Sequence, residues 1–229
     1  RAMATPLLEV RNLHACAGDT PVLHGVDLTI MAGEEHVVIG SLAAGASSLV
    51  NALLGNPELT TTRGSIHLRG DDVTDWGPDV RGKAGMFVAF QNPPEISGVS
   101  VLDFLHQARG ARFGTDQSVR DLRLAILDWM TRLDIDASFA DRHVNEGFSI
   151  GERKRNEILQ LAILEPALAV LNETTTDETD IDLDSLRIVT TQPGLFAHVV
   201  EHLPQTLLVA QFPEQGQRRG QHGCRGLSL

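Results

Sequence analysis

The stretch Gly40-Ser41-Leu42-Ala43-Ala44-Gly45-Ala46-Ser47-Ser48 decides how the rest of the chain is read. It has the frame of a phosphate-binding loop. Such a loop uses glycines so that successive backbone N–H groups turn inward around phosphate oxygens, a lysine for the outer phosphates and a hydroxyl for Mg²⁺. Gly40, Gly45 and Ser47 keep their places, followed by Ser48, and Ala46 stands where the pattern has lysine. The flanks agree with this frame, because Val37-Val38-Ile39 reads as a buried strand and Ser47 to Leu54 as the helix that follows. A phosphate on that helix N-terminus would still meet the dipole and N–H groups. Loss of the charged partner costs about 2–5 kcal/mol, enough to take a micromolar nucleotide site to millimolar. Taken alone, the stretch also reads as a small-residue strand-to-helix turn, so the remaining chain must decide.

Outward from the loop, the N-terminal side alternates like strand at Leu7 to Leu13 and again at Val26 to Ile30, with a Gly18-Asp19 turn between them. This is an antiparallel β opening that feeds an α/β core. Beyond the loop helix come a short strand at Ser65 to Leu68, a turn at Gly70 to Asp72 and a buried-type strand at Met86 to Phe90. Val101 to Arg109 reads as a short helix. Val119 to Leu133 carries Leu122, Ile126, Met130 and Leu133 at the spacing of one helix face. A further helix begins after Gly151, with Ile158, Leu161, Ala162 and Leu164 on or beside one stripe, and Leu168 to Leu171 is the next apolar strand. Strands alternating with helices imply a mostly parallel sheet covered on both faces. No internal repeat is visible.

Composition excludes several classes. With 229 residues and 42% hydrophobic content the chain can bury a sizeable core. The net charge of −11 argues against generic nucleic-acid or anionic-membrane binding, which favours basic surfaces. Cys16 and Cys224 lie far apart in sequence and suggest neither a disulfide framework nor a cysteine zinc site, so a reducing cytoplasm fits best. No apolar run approaches the roughly 20 residues that span a bilayer. We expect no direct membrane insertion.

Two long stretches, in the correct order, carry a family resemblance. Asn145-Glu146-Gly147-Phe148-Ser149-Ile150-Gly151-Glu152-Arg153-Lys154-Arg155-Asn156-Glu157-Ile158-Leu159-Gln160 is similar to the Ser-Gly-Gly-Glu signature and basic cluster of ATP-binding cassette (ABC) ATPases. Phe90-Gln91-Asn92-Pro93-Pro94-Glu95-Ile96-Ser97-Gly98-Val99-Ser100 resembles the glutamine loop of the same family, in the form found in the iron–sulfur cluster assembly ATPase of the Suf system. The resemblance extends over about residues 7–212. It implies an α/β P-loop fold: an ABC nucleotide-binding domain over 1–212 with a mostly parallel core, an antiparallel β edge and a helical subdomain at about 95–145.

The resemblance also implies roles for particular positions. Gly40, Gly45, Ala46, Ser47 and Ser48 would hold the phosphates of ATP, with Ser47 and Gln91 handling Mg²⁺. Ser149 and Gly151 of the signature would contact nucleotide held by a second subunit, implying an ATP-dependent homodimer. Glu173 takes the general-base position, Asp182 lies in the loop that communicates across the dimer, and Gln211 falls at the switch position. Suf-type scaffold proteins are the implied partners, in the cytoplasm, with no nucleic acid.

Departures from the family pattern fall on its chemistry. Ala46, Asn172 and Gln211 replace the usual Lys, Asp and His, and Ile150 replaces a signature glycine where backbone must approach phosphate. Asn172 loses a negative charge that helps hold hydrated Mg²⁺. Gln211 could orient water but cannot act on the γ-phosphate as histidine does. The connection from Asn172 to Asp182 is about three residues longer than the family pattern. Impaired hydrolysis is therefore expected, with a non-hydrolysing scaffold as the other reading. Pro213 to Leu229 shows no strand or helix periodicity and reads as a disordered tail. His198-Val199-Val200-Glu201-His202 fits an inverted zinc-peptidase pattern, but only 27 residues follow, so a surface helix is the preferred reading. The acidic run Asp177 to Asp184 lacks the glycine and terminal acid of a calcium loop and reads as a solvated face or loop.

Overall fold

The computed structural model describes residues 5–41, 45–90, 92–114, 118–174, 183–190 and 209–211. Strands β1 (Leu8–Ala17) and β2 (Thr20–Ile30) form a hairpin across the Gly18-Asp19 turn. β3 (Glu35–Ser41) leads to α1 (Ala46–Leu54), and β4 (Leu59–Leu68) then returns to pair antiparallel with β1. β5 (Asp71–Asp72) completes an antiparallel sheet of order β2-β1-β4-β5. Pairing makes β4 longer than the Ser65 to Leu68 strand expected from sequence: Leu59 to Thr61 lie against Ala15 to Ala17, and β-branched threonines suit that surface.

After α2 (Pro78–Lys83) come β6 (Met86–Ala89), β7 (Ile96–Ser100), α3 (Val101–Phe113) and α4 (Val119–Arg132). A 3-10 turn at Ala137–Asp141 and β8 (His143–Val144) precede α5 (Ile150–Leu164). β9 (Leu168–Thr174), β10 (Leu183–Thr190) and β11 (Val209–Gln211) enter the central sheet, whose order is β11-β3-β10-β9-β6.

In that sheet β11 and β3 pair parallel, as do β6 and β9, whereas β10 runs antiparallel to both β3 and β9. Every strand except β10 therefore points the same way, and the fold is mixed α/β with a largely co-directional core. Leu183 and Asp184, the end of the acidic run expected as a face or loop, lie in β10, and Asp182 lies outside the described residues. The β-branched run Ile188-Val189-Thr190 suits a strand hydrogen-bonded on both sides.

One core cluster unites Leu8, Val10 and Leu13 of β1, Ile66 of β4, Leu49 and Leu53 of α1, and Leu168 and Val170 of β9. At about 1.5–3 kcal/mol for each fully buried aliphatic side chain, this cluster dominates the lobe's stability. A second cluster holds the helices together: Leu105 of α3, Leu122, Ile126 and Met130 of α4, and Leu159 and Ile163 of α5. The α4 stripe is the one its spacing promised. Among the described residues, no helix is long and apolar enough to cross a membrane.

A buried cation fixes the far end of α1. Arg81 is 2% exposed and donates from Nη1 to the Ala52 and Leu53 carbonyls at 2.6 and 2.7 Å. Its Nε reaches Trp76 O at 2.9 Å, and its Nη2 reaches Thr74 O at 2.8 Å. The last carbonyls of a helix lack intrahelical partners, and these donors satisfy two of them. Desolvation lowers the pKa of this arginine, partly opposed by Asp75. Gly55 closes the helix at φ 76°, and a Cβ there would lie 2.7 Å from Trp76 O, so only glycine fits between helix and arginine.

Candidate functional site at the carboxyl edge of the central sheet

Backbone register gathers the positions singled out in sequence. Gly40 is near the end of β3 and pairs with Asp184, while Ile39 beside it pairs with Gln211, the last residue of β11. Glu173, near the end of β9, pairs with Ser185 of the same β10 segment. β6 ends at Ala89, level with Leu171, and Gln91 follows two residues later, after Phe90. The carboxyl ends of the co-directional strands thus meet at one edge, where open α/β sheets bind ligands. Gln91, Asp182 and the loop residues Leu42 to Ala44 lie outside the described residues.

α1 starts from this edge. Gly45 is its N-cap, at φ 88° and ψ 14°, a left-handed conformation that leaves the helix without a side-chain cap. Its carbonyl accepts from Leu49 N at 2.8 Å, and a Cβ on Gly45 would stand 3.0 Å from Val22 O. The first turn holds no acidic residue. Ala46 is 7% exposed, with Ser47 and Ser48 half-buried after it. A phosphate group suits the dipole and glycine turn of this N-terminus, but the buried methyl of Ala46 supplies no cation.

α5 begins differently. Ser149 is its N-cap; the hydroxyl accepts from Glu152 N at 3.3 Å, and Ser149 N donates to Glu152 Oε2 at 2.7 Å, a complete capping box. Ser149's backbone N–H, then its hydroxyl, hold the Glu152 carboxyl below the usual glutamate range. Gly151 lies in the first turn, and Ile150 before it is 82% exposed. That exposure leaves an apolar branched side chain standing off the helix start.

The basic cluster Arg153-Lys154-Arg155 is used inside the molecule. Lys154 Nζ donates to Phe90 O at 2.8 Å and to Glu157 Oε2 at 3.3 Å, and Phe90 N donates to Glu157 Oε1 at 2.8 Å. Arg153 reaches Phe148 O at 3.1 Å and Pro93 O at 3.4 Å and pairs with Glu95, while Arg155 donates to Asp134 O at 2.9 Å. Buried Asn145 donates to Pro94 O at 2.9 Å and accepts from Asn156 at 3.0 Å. Sequence reasoning did not single out Asn145, Asn156 or Glu157 by function. The available signal was the Pro93-Pro94 pair, which has no N–H donors and exposes carbonyls that need partners.

Among the described residues no group of His, Cys, Asp or Glu is arranged to hold a metal ion. The His198 to His202 motif and the tail from Pro213 lie outside the described residues, as does the acidic run up to Asp182.

Glycine turn, uncapped helix and converging strand ends define a nucleotide-binding cassette of the P-loop class. The model of the family described as "ABC transporter" matches residues 23–176, and the chain belongs to that family. It is 42% identical over 189 residues to vegetative protein 296 of Bacillus subtilis (strain 168), covering 82% of this chain and 71% of that protein. It is 40% identical over 191 residues to the probable ATP-dependent transporter ycf16 of Pyropia yezoensis, covering 82% and 75%. Among solved structures, cbiO1 from Clostridium perfringens, part of an ABC transporter complex, matches with a TM-score of 0.56 at 21% identity, covering 86% of this chain and 72% of that one. The ADP conformation of MJ1267, an ATP-binding cassette, matches with a TM-score of 0.53 at 21% identity, covering 71% and 66%. These structural likenesses establish the cassette fold.

Proposed function

We propose that this chain is the ATP-binding subunit of a Suf-type iron–sulfur cluster assembly machine, in which hydrolysis is slowed. The observation that carries the reading is the convergence of Gly40, Glu173, Gln211 and the exit of β6 at one sheet edge, with α1 starting there from Gly45. The similarity to relatives named as probable ATP-dependent transporters and the form of the glutamine loop support it.

Bound Mg-ATP would supply the transferable phosphoryl group and the divalent charge. The chain's residues would cradle the phosphates from Gly40, Gly45, Ala46, Ser47 and Ser48. Ser47 and Gln91 would face Mg²⁺, Glu173 would orient water, and Gln211 would stand at the switch position. Ser149 and Gly151 would meet the nucleotide of a second copy, with Asp182 relaying between the two copies. The assembly would work in the cytoplasm and dock on Suf-type scaffold proteins. Phosphoryl transfer depends on positioning and charge stabilisation, so the neutral residues at 46, 172 and 211 slow the step.

A second reading, a non-hydrolysing scaffold, is favoured by the buried methyl of Ala46 where a cation belongs. Phosphate release by Ala46→Lys with Asn172→Asp tests the two. A rise of roughly 100-fold or more, abolished by adding Glu173→Gln, is expected of a cassette with an intact frame. Flat activity in a folded double variant would favour the scaffold.

A further inference from the structure

We infer that Glu157 and Lys154 are positioning residues that tie the Phe90 flank of Gln91 to the signature helix, while Arg153 and Asn156 of the same helix hold the Pro93-Pro94 flank, making this loop a mechanical part of α5 rather than of the sheet. The inference rests on the nucleotide reading and deepens it.

β6 pairs with β9 as far as Ala89. At the next residue the backbone changes partner: Phe90 N donates to Glu157 Oε1 and Phe90 O accepts from Lys154 Nζ, both at 2.8 Å. The two side chains sit three residues apart on one face of α5 and bond each other at 3.3 Å. The Glu157 side chain is only 7% exposed, so its bond to the Phe90 amide is a charge-assisted contact that is partly shielded from water.

On the other side of Gln91 the chain runs through Pro93 and Pro94, which have no N–H to offer a sheet. Their carbonyls go instead to Arg153 of α5 and to Asn145, itself held by Asn156 of α5. Arg153 also pairs with Glu95. Arg153, Lys154, Asn156 and Glu157 all lie within about two turns of Ser149 and Gly151. A displacement of the signature therefore carries the loop with it. Removing the Glu157 carboxylate would leave the part-buried Phe90 amide without this acceptor and free the loop on its sheet side.

Hydrogen exchange of the full chain tests the tie, and Mg²⁺ dependence of ATP binding tests its purpose. In Glu157→Ala, exchange of the segment around Phe90 is expected to rise about 10- to 100-fold, while α1 and β4 amides stay as in the parent. The Mg²⁺-driven gain in ATP affinity should fall about tenfold with Mg-free ADP binding unchanged. Glu157→Gln, which keeps an acceptor for Phe90 N–H, should recover most of both. Should Glu157→Ala not fold, Lys154→Met breaks the carbonyl end from a half-exposed position and should raise exchange at the same segment several-fold. Unchanged exchange there overturns the tie. Faster exchange with an intact Mg²⁺ gain, or a Gln variant as defective as Ala, overturns the positioning role. A parent chain that binds no nucleotide defeats the nucleotide reading and the positioning role together, while the exchange pattern still decides whether the tie exists.

Discussion

The two helices that carry the cassette motifs begin in opposite ways. α1 starts from a left-handed glycine with no side-chain cap and no acidic residue in its first turn. α5 starts from a capping box whose serine and glutamate satisfy the helix end from within, with a carboxylate beside its amides. An uncapped N-terminus keeps its dipole available to an anion, whereas a boxed one is complete without a ligand. The difference is matched elsewhere along each helix. α1 is anchored at its C-terminal end by buried Arg81, and α5 is anchored along its first turns by Phe90 and Pro93. A helix held from behind can leave its front for a ligand.

The sharpest way to break this comparison is to remove the anchor of α1. Arg81→Ala removes the partner of the Leu53, Trp76 and Thr74 carbonyls and one of the two donors to Ala52 O, and should lower unfolding free energy by about 3–5 kcal/mol in denaturant titration, with Arg81→Lys recovering only part. At the front of the same helix, Gly45→Ala forces an L-residue to φ 88° with its Cβ 3.0 Å from Val22 O. A loss of about 1–2 kcal/mol and weaker nucleotide binding are expected.

On α5, Ser149→Ala should lower stability by about 1 kcal/mol in thermal unfolding, and Ser149→Asp should hold it. The smallest effect is a pH dependence. Because the folded Glu152 carboxyl is held low, its contribution is fully present above the usual glutamate value of about 4.3 and is lost as pH falls through the lower folded value. Glu152→Gln should flatten that acid-side slope of the melting temperature.

Local pattern made the site's frame legible. Val37 to Ile39 lie in β3, the Leu122, Ile126 and Met130 stripe is buried, and a helix starts at Val101; α5 begins at Ile150, just before the Gly151 start expected, because Ser149 caps it. What sequence could not supply were partners distant along the chain. Arg81 looks like any surface arginine of a short helix until the α1 carbonyls come to meet it. Arg153-Lys154-Arg155 reads as a solvated cluster because helical spacing names a face but not what faces it. β10 follows an acidic run whose charges hide its alternation, and its strand character arises from pairing with β3 and β9 on either side. Gln91 and Asp182, whose roles only the resemblance implies, lie outside the described residues.

On the proposed reading, the cassette still receives nucleotide through the glycine turn and dipole of α1, and Ala46 in place of lysine weakens its grip. Calorimetric titration of the full chain with Mg-ATP to millimolar concentration, beside Ala46→Lys and an ADP control, decides it. Saturable millimolar binding by the parent, tightened roughly 30- to 1,000-fold in Ala46→Lys, is the expected result. No binding by either protein, both folded, would contradict it.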